Sequence, residues 1–334
     1  MYSLADIPWT RVDLLAGPTR IERLGPSLWV KREDLAGTLY GGNKVRKLEW
    51  LLGNVAEIGG EILSTGAIGS HHLLATALYG HQLGYRVHGV VSPQPDHPHV
   101  RENARALHAW AERLWPAFTY PEVPLVWAKA RLALRAFGGF PPVAIPAGGS
   151  NALGTTGWVG GGLEIAAQVR EGQMPVPARV VVPLGTGGTA AGLWLGLRMA
   201  GLRTEVVGVR VVPAIVGNAA SVRVLAKRTL GRLRREAGAP RVQLDGFTVV
   251  DRQYGVGYGL PTAAGSEAER VAADLGLTLE PTYSAKAFAE VLATPDAGPT
   301  LFIATANSRP MAPLLASALL DVPESLAGLL TGPP

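Results

Sequence analysis

Gly185-Thr186-Gly187-Gly188-Thr189 follows the apolar run Val180-Val181-Val182 and precedes a segment, Ala190 to Met199, with the spacing of a helix. Glycines at a strand-to-helix turn let backbone amides close on an anion, and the unpaired amides of the helix start favour a phosphate there. No lysine follows at the Walker A position, so a P-loop is excluded. A dinucleotide site stays open if Ala190 stands for the last glycine of that fingerprint, although Glu205 begins the next strand instead of ending it. A plain tight turn is the third reading.

Gly41-Gly42-Asn43-Lys44 sets a lysine in the first turn of an expected helix, Asn43 to Glu57. A solvated lysine on a capped helix is the simple reading. The chain has six lysines against 25 arginines, however, and a lysine kept in such a background suits chemistry that arginine cannot do, a Schiff base above all. Arg46 and Lys47 beside it are expected to keep the Lys44 amine deprotonated by like-charge repulsion.

A second strand-to-helix turn, Gly66-Ala67-Ile68-Gly69-Ser70-His71-His72, suits a carboxylate by the same geometry, with Ser70 also fitting a simple helix cap. Neighbouring histidines on a helix point about 100° apart, and Asp96, His97 and His99 lie among prolines without ligand spacing. No metal ligands are expected. With no cysteine in the chain, thiolate metal sites, disulfides and cysteine nucleophiles are excluded.

The elements that must position these turns alternate between strand-like and helix-like segments, the pattern of parallel sheets covered by helices. Strands are predicted at Ser27 to Lys31, Glu61 to Thr65, Arg86 to Ser92, Pro142 to Ile145, Arg179 to Pro183, Glu205 to Val212, Phe247 to Val250 and Thr300 to Ala304. Helices are predicted at His71 to about Leu83, Val100 to Leu114, Trp127 to Ala136, Ala219 to Glu236, Gly265 to Leu275 and Ala285 to Leu292. The expected fold is α/β, with two open, mostly parallel twisted sheets flanked by helices, and ligands beyond the carboxyl ends of strands. At 334 residues, 47% apolar and 17% charged, the chain has the length and composition of a folded enzyme. Its net charge of +5 is scattered, and the densest basic stretch, Arg223 to Arg235, lacks interleaved aromatics, so nucleic acid is not an expected partner. The apolar run Ala312 to Leu320, broken by Pro313 and Ser317, is too short to span a bilayer, so a membrane is not expected either. No secretory pattern opens the sequence, which makes the cytoplasm the expected location.

Several motifs in order resemble one family. Lys31-Arg32-Glu33-Asp34-Leu35, Gly41 to Glu49, Ser70 with His72, Gly148-Gly149-Ser150-Asn151-Ala152-Leu153-Gly154, the Gly185 loop, Tyr254 to Pro261 and Glu280-Pro281-Thr282-Tyr283 look like the D-cysteine desulfhydrase and 1-aminocyclopropane-1-carboxylate (ACC) deaminase family. The resemblance implies a pyridoxal-phosphate enzyme of the tryptophan synthase β-subunit fold, commonly a homodimer, acting on a small amino acid. It implies a large cofactor-binding domain, 1–55 with 155–334, into which a small α/β domain, 56–154, is inserted.

By that resemblance Lys44 carries the cofactor as a Schiff base, and Gly185, Thr186, Gly187, Gly188 and Thr189 hold its phosphate. Ser70, with the backbone at His71 and His72, binds the substrate carboxylate. Tyr258 and Tyr283 face the substrate, one stacking or orienting and the other acting as acid, base or nucleophile. Two buried aromatics with satisfied hydroxyls are the simple reading of that pair. His71 stands where the family commonly has asparagine, and Ala304-Thr305-Ala306-Asn307 stands where His-Thr-Gly-Gly is usual, Thr305 remaining as a residue toward the cofactor. After Tyr283, ACC deaminases have glutamate and desulfhydrases threonine; here it is Ser284. That position is expected to face the pyridine nitrogen, where a hydroxyl weakens the electron sink and suits loss of a β-substituent. The implied function is β-elimination giving pyruvate and ammonia. The rivals are a ring-opening deaminase, an NAD(P)-dependent oxidoreductase and a non-catalytic relative.

Overall fold

A computed structural model of the chain describes residues 2–58, 60–138, 140–295 and 297–332. By contact the chain forms two compact units, one of Met1–Trp9, Asp13–Trp50 and Ser150–Ser308, the other of Thr10–Val12, Leu51–Gly149 and Arg309–Pro334. The expected division kept 155–334 together, whereas the segment from Arg309 onward groups with the second unit. There Trp110 Nε1 donates to Leu314 O at 2.9 Å, and Leu330–Thr331 pairs in parallel with Gln94–Pro95. A two-residue strand has no period that a sequence can display.

The first unit is built on six strands in the order Ile21–Arg23, Leu28–Lys31, Thr300–Ile303, Arg179–Leu184, Glu205–Arg210, Phe247–Val250. Only the first pair is antiparallel. Arg179–Leu184 is buried along its whole length because both faces are covered, which is why it reads as an unbroken apolar run. Val180 and Val182 pack with Trp158 and Trp194, and Val181 packs on the opposite side with Phe288 and Phe302.

One helix of this unit, Ala152–Arg170, escapes sequence reading, because Gly154, Gly157, Gly160, Gly161 and Gly162 depress helix propensity across it. One of these glycines, and one on the helix that faces it, allow close contact. A Cβ on Gly162 would stand 2.7 Å from Leu193 O, and one on Gly192 of helix Gly188–Met199 would stand 2.6 Å from Trp158 Cβ. The two helices therefore approach backbone to backbone.

The second unit has a four-stranded parallel sheet, in the order Arg113–Pro116, Val87–Ser92, Ile62–Ala67, Val143–Ile145. The helix expected to run to Leu114 is Pro98–Trp110, and Arg113–Pro116 is a strand instead. Arg113 and Leu114 gain ladder partners in His88 and Gly89, a tertiary pairing that outweighs local periodicity. Among the described residues no helix is long and apolar enough to cross a membrane.

Inside the first unit a buried ion network joins four segments. Arg46, in helix Val45–Ile58, reaches Glu33 at 2.7 and 2.8 Å and Glu164 at 2.8 and 3.0 Å. Lys31 donates to Glu164 Oε1 at 2.6 Å and to Gln168 Oε1 at 2.8 Å. Burial alone would raise the Glu164 carboxyl, yet Arg46 and Lys31 overcome it and hold it at about 2 against an ordinary 4.5. Removing one partner of such a network strands the others. Arg46→Met is expected to cost about 3–5 kcal/mol in urea denaturation, since Glu33 and Glu164 lose their shared cation. A depressed carboxyl stabilises the fold above its unfolded pKa, so the wild-type contribution should decline as pH falls from about 5 toward 2. Denaturation across that range should show the slope in the wild type and a shallower one in Arg46→Met.

Candidate active site

Lys44 lies in the turn just before helix Val45–Ile58, one residue short of the expected first turn. The turn is fixed from several sides. Gly41 N donates to Asn307 Oδ1 at 2.6 Å, Gly42 N to Glu33 O at 2.8 Å and Asn43 N to Thr305 O at 3.1 Å. Trp158 Nε1 donates to Asn43 O at 2.8 Å, while Asn43 Nδ2 donates to Thr189 Oγ1 at 2.9 Å. The asparagine thus couples the lysine turn to the glycine loop. Thr305 contributes its carbonyl, and Asn307 supports Gly41.

The glycine loop runs from Gly185 into helix Gly188–Met199, with Gly187 at φ +85, a conformation that side chains with a Cβ resist. A Cβ on Gly188 would stand 2.6 Å from Ser150 Oγ and 2.7 Å from Lys47 Nζ. Ser150 Oγ accepts from Gly188 N at 3.1 Å, lies 2.7 Å from Thr186 Oγ1, and is 3.3 Å from Lys47 Nζ. Two hydroxyls, the Gly188 amide and an amine converge where a side chain would not fit.

Lys47 is the residue that sequence reading undervalued. It stands three positions after Lys44, which on a helix returns to nearly the same face, and that spacing was the available signal. Burial, with the charge of Lys44 adding to it, pushes the Lys47 amine well below an ordinary lysine. An anion in the cradle reverses that cost, so the site fits a phosphate. Burial takes Lys44 down to about 8, against an upward pull from the Glu280 carboxylate. The expected help from Arg46 is corrected: its guanidinium is engaged by Glu33 and Glu164.

Glu280, which opens one of the family-like motifs, is a second residue to which the sequence assigned no role. Its carboxylate accepts from Thr282 N at 2.8 Å, Tyr283 N at 2.9 Å, Ser284 N at 2.7 Å and Ser284 Oγ at 3.1 Å, gathering the free amides at the start of helix Ser284–Leu292. Burial lifts it to about 7 despite those donors. Lys286, itself lowered to about 8 by burial and drawn back by Glu280, donates to Tyr254 O at 2.8 Å and Gly257 O at 3.2 Å. This ties the loop carrying Tyr258 to the helix that follows Tyr283. The Tyr258 and Tyr283 hydroxyls lie 2.7 Å apart, with the rings edge to face, and a Cβ on Gly185 would meet Tyr283 at 3.5 Å. Ser284 is buried, and its hydroxyl accepts from Glu280 N at 2.8 Å.

Ser70, His71 and His72 fall in the second unit. Ser70 caps helix His71–Gln82, its hydroxyl accepting from Leu73 N at 3.2 Å, so the simple reading of a helix cap holds in geometry. The His72 ring is buried 3.3 Å from Ser64 Oγ, which leaves its backbone as the part that can serve a ligand. His71 stacks on His99, whose Nδ1 lies 2.7 Å from that of His97. Burial, then the charges of His71 and His97, drive His99 down to about 3.

A family model described as pyridoxal-phosphate dependent enzyme matches residues 11–304. The chain belongs to that family. Within it, the chain is 33% identical to a D-cysteine desulfhydrase of Salmonella schwarzengrund (strain CVM19633), over 89% of this chain and 94% of the relative. It is 32% identical to that of Salmonella paratyphi B, with the same coverage. A crystal structure of an ACC deaminase homologue is similar at 28% identity and a TM-score of 0.76, covering 90% of this chain and 92% of the other. A threonine deaminase from Solanum lycopersicum shares the fold at 19% identity and a TM-score of 0.57, over 93% and 88% of the two chains. The pyridoxal-phosphate family and its fold, two mostly parallel sheets flanked by helices, agree with the resemblance read from the motifs.

Gly188→Val should abolish retention of pyridoxal phosphate, read as loss of the visible absorption band after desalting, while circular dichroism stays native. Lys47→Met should weaken retention about tenfold or more, the scale of one charge-assisted hydrogen bond. In protein stripped of cofactor, the rate of recapture should rise with pH through about 8 as Lys44 loses its proton. Glu280→Gln removes the negative charge that raises the amine, so the midpoint should move to lower pH.

Proposed function

We propose that this protein is a lyase that eliminates a β-substituent, a thiol or similar, from a small amino acid, as a D-cysteine desulfhydrase does, releasing pyruvate and ammonia from a cysteine-like substrate. What carries this reading is Ser284, a neutral hydroxyl directly after Tyr283, at the position where the family resemblance gives the ring-opening deaminases a carboxylate. The likeness to the Salmonella desulfhydrases supports it.

Pyridoxal phosphate, when bound, supplies an aldehyde for a Schiff base and an electron sink for the bond broken at the substrate α-carbon. Lys44 would hold it, with the amine poised near neutrality by burial. Lys47, Ser150 and the amides of Gly185, Thr186, Gly187, Gly188 and Thr189 would hold its phosphate, and Thr305 would stand by the ring. Ser70 and the amides at His71 and His72 would bind the substrate carboxylate. An ordinary phenol titrates near 10 and is a weak base at neutral pH. A second hydroxyl at 2.7 Å can stabilise a phenolate by donating to it, so Tyr258 would orient and acidify Tyr283, which would move the proton. Action as a homodimer in the cytoplasm belongs to the same proposal and rests on the family resemblance.

Borohydride reduction followed by peptide mapping should mark Lys44, and a label on Lys47 instead would overturn the assignment. Tyr283→Phe should keep the visible band and substrate binding while losing turnover by about 10²-fold or more, the pattern of a group acting in the transition state. A panel of D- and L-amino acids scored for keto acid tests the reaction class. Turnover of cysteine-like substrates is expected, and turnover confined to 1-aminocyclopropane-1-carboxylate would replace elimination with ring opening. Ser284→Glu should slow elimination, whereas an unchanged rate would remove the role given to the hydroxyl.

A further inference from the structure

The turn that precedes Ser70 is held by residues far from it in sequence, all inside the second unit. Gly69 N donates to the side chain of Gln94 at 3.1 Å, and Asn103 Nδ2 donates to Gly69 O at 3.0 Å. The glycine is thus gripped at both its amide and its carbonyl by buried amide side chains. The fit is close, since a Cβ on Gly69 would stand 2.9 Å from Val100 Cγ1 and 3.0 Å from Gln94 Oε1. Asn103 Nδ2 also lies 3.5 Å from His71 Nδ1, so the same side chain meets the first residue of the helix.

Gln94 in turn is held by the chain's last described strand. Gln94 N donates to Leu329 O and Asp96 N to Thr331 O, both at 2.9 Å, with Leu330 in register with Gln94 and Thr331 with Pro95. The segment leading to that strand is tied down separately, by Arg105 Nε donating to Leu319 O at 2.7 Å and by Arg101 pairing with Asp321 at 3.2 Å. The strand fixes the backbone of Gln94, and Gln94 fixes the amide plane at Gly69. Rotation of that plane re-aims the amides that follow.

We propose that Gln94 is a positioning residue for the substrate carboxylate, and that Leu330–Thr331 acts as a strap setting substrate affinity through it. The inference rests on the reading of Ser70 and the amides after it as the carboxylate site. It assigns no chemistry to either segment. Because the strap acts through Gln94 and Gly69, and not through the lysine turn or the glycine loop, it should govern KM and leave the cofactor alone.

The test measures KM, kcat and the visible cofactor band in the holoenzyme. Gln94→Met keeps the length and removes the acceptor; KM should rise about fivefold to tenfold, the scale of one buried hydrogen bond, with kcat within about twofold and the band unchanged. Gln94→Glu restores an acceptor and should recover most of the loss. Deleting residues 329–334 should raise KM in the same direction, and Leu330→Gly, which loosens the strand at full length, gives a second route if the shortened chain does not fold. Since strap and glutamine act through one group, the double variant of Leu330→Gly with Gln94→Met should be no worse than the stronger single variant. An unchanged KM in Gln94→Met, or effects that multiply in the double variant, would overturn the proposal. Ser70→Ala run alongside separates the two levels: a KM rise there with none in Gln94→Met sinks the strap alone, and no rise in either sinks the carboxylate reading beneath it.

Discussion

Arg46 is the constraint on which the first unit depends. Its guanidinium satisfies Glu33, from the segment after strand Leu28–Lys31, and Glu164, from helix Ala152–Arg170, while Lys31 shares Glu164. Arg46, Lys31 and Glu33 have been taken out of water and Glu164 largely so, a cost repaid only while every partner is in place. The network therefore tolerates little movement of the helix that begins at Val45. Lys44 precedes that helix and Lys47 lies on its first turn, so their positions are inherited from an ion cluster that performs no chemistry itself.

The same dependence on partners governs the electrostatics of the site. Two lysine amines set close together, Lys47 buried and Lys44 partly so, would ordinarily be a liability, and desolvation lowers both. Under the proposed reading, the Lys44 amine would meet a carbonyl, which needs a free amine, and the Lys47 amine an anion, which would return the charge to it. Glu280 moderates the balance. It is lifted by burial and held by the amides at the start of helix Ser284–Leu292, so one carboxylate both caps a helix and raises Lys44 and Lys286. The tyrosine pair is tied into this arrangement from two sides: Lys286 anchors the loop around Tyr258, and Glu280 receives the backbone of Tyr283.

Much of this was legible in sequence wherever a local rule acts alone. The glycine loop after Val180-Val181-Val182, the lysine after a glycine pair and the serine at a helix start each announce their geometry, because turns and helix ends are specified by neighbours. The alternation of elements determined the fold class, and the order of the motifs determined the family. Absence of cysteine removed whole classes of chemistry without any structure.

The tertiary structure decided what depends on residues distant in sequence. Helix Ala152–Arg170 was hidden because its glycines lower propensity, and the close approach of other backbone, Arg46 at Gly157 and helix Gly188–Met199 at Gly162, makes them favourable. Strand Arg113–Pro116 exists because a neighbouring strand completes its hydrogen bonds, and Leu330–Thr331 belongs to the second unit for the same reason. Arg46 and Lys47 look alike as basic neighbours of Lys44, yet one is neutralised by carboxylates and the other faces the glycine loop, a distinction set by what surrounds each side chain. The order of residues determines which charges a segment carries, but desolvation and pairing, which decide what those charges do, arise only when remote segments meet.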